Sequence, residues 1–515
     1  MRRLGEGKSA AEREILKETL GDIFGTSKQF ETDGEREERL QPAPAKPREL
    51  IDRPDANGIA PGPRTGDHVY DVPIVDGLKA MLRDNPELLT AFQQAAASWG
   101  EASHNPQPGD STIVYADITD GAYFKEHPEL GVNADRSDGS LRLGFILYYD
   151  EVEVVNALGA FTGTHKIGLF YWGLLNIDAH QRMDLNNIHL ATIVLDCDVS
   201  YYGIEQVVSG IPSEPNYPEG TSIGASLRAL HDGVTLHVGR EGNFAETLTR
   251  GWLVVVSADF PAAAVLTGTM VGTTANRFCR ECEVDRREAG FDCPCSLLHP
   301  TATPALRSAE ARSRDMTVCG NDATQMASAG WTSWSDAFMR CGPHFDITRC
   351  LPYDLMHGEA EGLLKGELAH FIFYCVRIAK FFTLDQLNHQ TDAYAFPGGG
   401  KVPYFTENLL DGKRSGCERG RKPSKQGTKG KRTASNTPMY VPQGGAHVHL
   451  TSGQTLLFSI HSPQIFKDLG VDPDDPAFEC WLTHLSYLCL LMQHSITYED
   501  VCEIDRLVGE HQRQL

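Results

Sequence analysis

Two aspartates stand where paired carboxylates could do metal-assisted phosphoryl chemistry. Asp150 closes the apolar run Leu141-Arg-Leu-Gly-Phe-Ile-Leu-Tyr-Tyr, and Asp259 closes Trp252-Leu-Val-Val-Val-Ser-Ala. Such chemistry needs carboxylates that flank two cations roughly 3.5–4 Å apart, and a strand end holds a side chain with little reorganisation. The plainer reading is that aspartate often ends a strand before a turn. Four thiols, Cys279, Cys282, Cys293 and Cys295, fall within 17 residues. They are enough for a tetrahedral Zn²⁺ site, with Cys279 and Cys282 its firmest ligands; the alternative is buried reduced thiols. Asp354, His357 and Glu361 share one face of an expected helix. Asp354 follows Pro352 and fits a helix start, so the trio reads as capping and packing or, through Glu361, as catalysis. The stretch Lys413–Arg432 carries nine Lys/Arg and one Glu. Its Lys413, Arg414, Arg421 and Lys422 could track DNA phosphates by counterion release or serve nuclear import, or the stretch is an ordinary solvated loop.

Bulk properties narrow the setting. The chain of 515 residues is long enough for two or more domains, each with a core. A net charge of -22 argues against a basic nucleic-acid coat protein. It leaves room for an enzyme that binds DNA locally, because a metal-dependent active site is itself acidic. Thirteen cysteines, an odd and scattered set, do not read as a disulfide framework. No run approaches the roughly 18 apolar residues of a membrane-spanning helix, so no membrane partner is expected. The start, Met1-Arg-Arg-Leu-Gly-Glu-Gly-Lys, lacks the apolar core of a secretion signal, so an intracellular protein is expected.

The elements that must position these residues follow from periodicity. Residues 1–70 read as a disordered polar tail with order beginning near Asp71, and 71–139 as a helical segment. Strands are expected over Arg142–Val155, Lys166–Ile177, His189–Leu195 and Gly251–Val256. A helix-compatible connection around Ile204–Leu230 lies between the third and fourth. Pro261 then opens a helix over Ala262–Met270. Three strands, a helical crossover, a strand and a helix predict an α/β fold with a ribonuclease-H-like mixed sheet over 140–275. A cysteine-bearing segment with loops follows over 276–350. Residues 351–515 read as a large, mostly helical insertion and C-terminal domain with a disordered basic loop at 411–445. Its helices are expected from Asp354 to about Phe382, over Glu479–Gln493 and over Thr497–Gln514.

Several blocks carry a family resemblance. Leu147-Tyr-Tyr-Asp-Glu-Val-Glu-Val-Val-Asn-Ala-Leu-Gly159 is followed by Thr164-His-Lys-Ile-Gly-Leu-Phe-Tyr171. Ser257-Ala-Asp-Phe-Pro-Ala-Ala-Ala-Val-Leu-Thr-Gly268 is followed by Phe278-Cys-Arg-Glu-Cys282. With Ile118-Thr-Asp-Gly-Ala-Tyr-Phe-Lys125 and Leu351-Pro-Tyr-Asp-Leu-Met-His357, these resemble, in order, the blocks of CACTA-type cut-and-paste DDE transposases. That group includes the Plavaka and Kyakuja–Dileera–Zisupton elements. The resemblance runs from about residue 70 to the C-terminus.

The resemblance implies Mg²⁺- or Mn²⁺-dependent DNA strand cleavage and transfer, with Asp150 and Asp259 as catalytic metal ligands. It also implies transposon ends and target DNA as partners, a homo-oligomer when active, and the nucleus as location. Strand alternation puts Glu151 on the face opposite Asp150, where it is expected to be solvated. The third acid of such enzymes lies on a helix beyond the Asp-x-x-His block, after a helical insertion. It is expected past Leu515, leaving a chain truncated at its C-terminus with Glu361 as the one substitute. In the related recombination-activating recombinase a similar cysteine pair binds zinc together with two histidines shortly before that glutamate. By this analogy the partners of Cys279 and Cys282 could also lie past Leu515. A second function fits the same residues: a non-enzymatic DNA- or chromatin-binding remnant of a transposase. A hydrolase of another kind has no support, since no Walker loop or H-E-x-x-H is present.

Overall fold

The computed structural model describes residues 45–49, 68–85, 87–100, 114–153, 166–209, 220–238, 245–270, 276–277, 279–285, 305–334, 338, 341–407, 409 and 448–515. The chain forms two compact units, Met1–Pro108 with Tyr115–Pro352, and Gly109–Val114 with Tyr353–Leu515. The expected basic residues Lys413, Arg414, Arg421 and Lys422, the loop 411–445, and Cys293 and Cys295 lie outside the described residues. Among the described residues no helix is long and apolar enough to cross a membrane.

The first unit is mixed α/β. Among the described residues its sheet has seven strands: β1 (Lys46–Glu49), β2 (His68–Asp71), β3 (Leu141–Glu153), β4 (Lys166–Leu174), β5 (His189–Leu195), β6 (Val234–Val238) and β7 (Ala245–Ala258). They form one sheet in the order β1-β2-β5-β4-β3-β7-β6. β3, β4 and β5 are an antiparallel meander, while β7 returns parallel to β3. A parallel return needs a crossover. Here it is made by α3 (Asp196–Tyr202), α4 (Ile204–Ser209), α5 (Ile223–Asp232) and the edge strand β6.

β3 is buried on both faces over most of its length, as a central strand should be. Phe145, Leu147 and Tyr149 join a core with α1 (Ile74–Asp84) through Ile74 and Leu78, with α2 (Glu87–Ser98) through Phe92, and with α5 through Leu227 and Leu230. Ile146 packs instead with Trp252, Val254, Phe124 and Trp99. Toward its end β3 emerges, and Asp150 and Val152 are exposed.

Three strands of the sheet, β1, β2 and β6, were hidden in the sequence. The expected polar tail over 1–70 contains β1, which pairs with β2. The reason is a buried charge. Asp71 is fully buried and accepts hydrogen bonds from Arg48 Nε at 2.5 Å, Thr192 Oγ1 at 2.9 Å and Thr221 Oγ1 at 3.0 Å. Arg48 also donates to the carbonyls of Gln206 and Val207, which ties the Pro-flanked segment to the crossover helices. The strand expected at Gly251–Val256 begins earlier, because the polar half Ala245–Arg250 is paired by β6.

His127 gives this unit a pH dependence. It is 4% exposed, and its Nδ1 accepts the N–H groups of Glu129 and Leu130, both at 3.2 Å. Burial, then the neighbouring His344, pulls its pKa down to about 4. The unfolded chain takes up this proton near pH 6.5 and the folded one does so only near pH 4. Stability is therefore lost as pH falls through that window, by about 3 kcal/mol. Denaturant titrations at pH 7.5 and 4.5 should show the loss, and His127→Asn, which keeps an acceptor, should remove that share of the slope.

The second unit is helical. A continuous run comprises π-helical Met356–Leu363, α6 (Leu364–Phe373) and π-helical Tyr374–Ile378. It stops before the expected Phe382, because Lys380 turns the chain at φ 58°. With α7 (Leu384–Ala393), α8 (Ser452–Asp468), α9 (Pro476–Leu491) and α10 (Tyr498–Gln514), it surrounds a core containing Leu368, Ile372, Phe458, Phe466, Trp481 and Leu488.

Candidate functional site

The direction of the strands gathers acidic side chains at one edge of the sheet. β3 and β7 run parallel, and β5 runs the same way because two antiparallel steps separate it from β3. The last paired residues of β3 and β7 are Tyr149 and Ala258. Asp150 and Asp259 follow them, and Asp196 follows β5. All three therefore lie toward the C-terminal edge of the sheet, where open α/β sheets bind ligands.

Two faces of that edge differ. Tyr149 and Glu151 continue the face of Phe145 and Leu147, and Gly168 on β4 makes room for the Tyr149 ring. A Cβ at Gly168 would meet the Tyr149 hydroxyl at 3.0 Å. Lys166 pairs with Glu151 at 3.0 Å. Glu151 is thus half-buried in an ion pair, which corrects the expectation of a merely solvated side chain. Burial, followed by the carboxylates of Glu151, Asp196 and Asp259, pushes the Tyr149 phenol well above its usual range. The hydrogen bond to Glu151 and then its charge, with help from Asp196 and Asp259, raises the Lys166 ammonium. Burial and the Glu151 charge raise Asp196, and Lys166 opposes them. Three carboxylates therefore act on one buried tyrosine and one lysine.

Asp259 has a second duty. Its Oδ1 accepts the Ala262 N–H at 2.7 Å and caps the helix Phe260–Thr267. That helix ends before the expected Met270, because Gly268 adopts φ 72° against the Ser333 carbonyl. Asp150 lies on the other face. Its charge, second to burial, raises Tyr171, and its Oδ1 accepts only the Glu151 N–H, at 2.8 Å, among the described hydrogen bonds. Asp150 and Asp259 thus share an edge while acting on different neighbours.

The other sequence candidates are placed as follows. Cys279 and Cys282 form no disulfide. A hydrogen bond from the Cys282 side chain, then two backbone N–H groups working against burial, brings the Cys279 thiol down to about 6. A thiol of that character is ready to bind a soft or borderline cation. Asp354 Oδ1 accepts the N–H groups of Met356 at 3.0 Å and His357 at 3.2 Å, and its Oδ2 meets His357 Nδ1 at 2.5 Å. This pair starts the helical run. Glu361 is exposed within the π-helical stretch.

A further cluster escaped sequence reading. Glu367, His484 and His511 bring one ligand atom each to within 4.8 Å of the others, and could hold a metal ion. Among the described residues this is the group of at least three such side chains that converges so closely; the edge carboxylates do not. Burial opposes charge on His484, but hydrogen bonds to Glu359 and Glu367 outweigh it and lift the imidazole to about 9. Glu359 and Glu367, eight residues apart on one helical run, were the only local signal; their histidine partners are remote in sequence. No protein-family model and no curated protein matches the chain.

Proposed function

We propose that this protein is derived from a DDE-type transposase of the CACTA kind and acts on DNA in the nucleus. In this reading residues 140–275 of the first unit are a ribonuclease-H-like core. One observation carries it: a three-stranded meander, a helical crossover and a fourth strand parallel to the first, with an aspartate directly after the last residue of each parallel strand that pairs with the other. The resemblance blocks, which contain the same two aspartates, point to the same reading.

Mg²⁺, or Mn²⁺ in its place, would supply activation of a water or 3′-hydroxyl for in-line attack and stabilisation of the leaving oxygen. The chain's carboxylates suit such hard cations, which take oxygen donors. Asp259, fixed by the helix it caps, and Asp150 would provide the ligands. Asp196 and Glu151 stand on the same edge as further carboxylates, placed by the sheet itself, whereas Glu361 belongs to the second unit. Lys166 would neutralise the edge until a cation or a DNA phosphate enters.

The test is nicking of supercoiled DNA by the purified chain with Mg²⁺ or Mn²⁺. Nicking that requires the metal and is absent from Asp150→Asn and Asp259→Asn supports cleavage chemistry. The second reading, a DNA-binding remnant without catalysis, is favoured by the opposite orientation of Asp150. Under it the protein retards DNA in a gel and nicks none.

A further inference from the structure

The second unit contains buried titratable groups that DNA cleavage at the sheet edge does not use. His484 on α9 is fully buried, and His511 on α10 is 2% exposed. Glu367 on α6 lies between them, its Oε2 at 2.5 Å from His484 Nδ1 and 3.0 Å from His511 Nε2. The other nitrogen of His484, Nε2, faces Glu359 Oε2 at 3.3 Å. Tyr487 stacks on the His484 ring with centroids 4.9 Å apart and planes 9° apart, fixing its orientation.

We infer that Glu367, His484 and His511 form a Zn²⁺ site that fastens α10 to the rest of the helical unit, with Glu359 holding the far nitrogen of His484. The donor set is two imidazole nitrogens and one carboxylate oxygen, which zinc accepts at about 2.0–2.2 Å. A tetrahedral ion at those bond lengths would separate its donors by about 3.3 Å. The present Glu367–histidine separations of 2.5 and 3.0 Å are hydrogen-bond distances, so along those two sides the ion replaces shared protons with a movement of less than about an ångström. A water completes the tetrahedron. Glu359 performs the role that carboxylates commonly have behind metal-bound histidines: it accepts the Nε2–H and leaves the Nδ1 lone pair facing the ion.

The position of the cluster gives it a purpose. The buried residues of α10 are Leu507 and His511 alone, a small apolar contribution for a helix of 17 residues. An ion shared by α6, α9 and α10 joins three elements at a point where apolar burial is thin. Metal binding to the folded state alone stabilises it by RT ln(1 + [Zn²⁺]/Kd).

The experiment uses the full chain carrying Cys279→Ser/Cys282→Ser, so that this thiol pair cannot contribute. Metal-stripped protein is titrated with Zn²⁺ and, separately, with Co²⁺ as a visible probe. The expected result is one equivalent bound, with Co²⁺ d–d bands and no sulfur-to-cobalt charge transfer. Glu367→Gln and His511→Gln should each weaken binding by about 100-fold or more. Glu359→Gln should weaken it about 10–100-fold, the range seen for partners of metal-bound histidines. Chelation should expose α10 to protease before the rest of the unit. Absence of bound metal, or binding unchanged in Glu367→Gln and His511→Gln, overturns the site and leaves a hydrogen-bonded Glu–His network. Should those variants fail to fold, X-ray absorption of the zinc-loaded cysteine variant decides. A first shell of nitrogen and oxygen alone sustains the site, and a shell containing sulfur overturns it.

Discussion

Asp259→Asn is expected to reduce Mg²⁺-dependent nicking by about 10³-fold or more while leaving the unfolding transition unchanged. Losses of this size are ordinary when a member of a cooperating catalytic group is removed. The choice of asparagine matters. Asp259 Oδ1 accepts the Ala262 N–H at 2.7 Å, and alanine would remove that cap as well as the charge. Loss of a cap costs about 1 kcal/mol and would blur the result, whereas asparagine caps about as well as aspartate. Asp150→Asn provides the second arm with no such duty to preserve, because its side chain is exposed. Nicking at parental rate by either variant would remove that carboxylate from the reaction.

The largest stability effect is expected at a residue remote from the chemistry. Asp71→Ala should destabilise the first unit by about 3–5 kcal/mol, because it leaves the Arg48 guanidinium unpaired among buried carbonyls. Two hydroxyls, Thr192 and Thr221, would lose their acceptor at the same time. The loss should appear as a lower midpoint in urea, with β1 freed from β2. Arg48→Ala/Asp71→Ala should be less damaging than Asp71→Ala alone, since the uncompensated charge is gone. A single-variant loss below about 1 kcal/mol would mean that Arg48 relaxes into solvent without cost.

The strands that carry Asp150 and Asp259 were legible because each is a long apolar run between turn-forming residues. His189–Leu195 was legible to the residue, and the crossover followed from the helical spacing after it. What escaped had a physical reason in each case. β1 contains Pro47 and is held by an ion pair, not by an apolar run. β6 is five residues at the sheet edge, too short to stand out. α8 contains Pro463, which reads as a break but is accommodated within the helix. The edge carboxylates beyond the two aspartates, Glu151 and Asp196, become neighbours only when β4 pairs with β3 and β5. The Glu367–His484–His511 cluster joins residues 117 and 144 positions apart, and no local spacing could reveal it.

The central claim is that the C-terminal edge of β3 and β7 holds catalytic divalent metal. Crystals of the chain soaked in Mn²⁺ and measured for anomalous scattering would test it most directly. The account predicts manganese in direct contact with the Asp259 carboxylate, shared with at least one of Asp150, Asp196 and Glu151. Saturating Mn²⁺ that leaves this edge bare, with Lys166 still paired to Glu151, would contradict it.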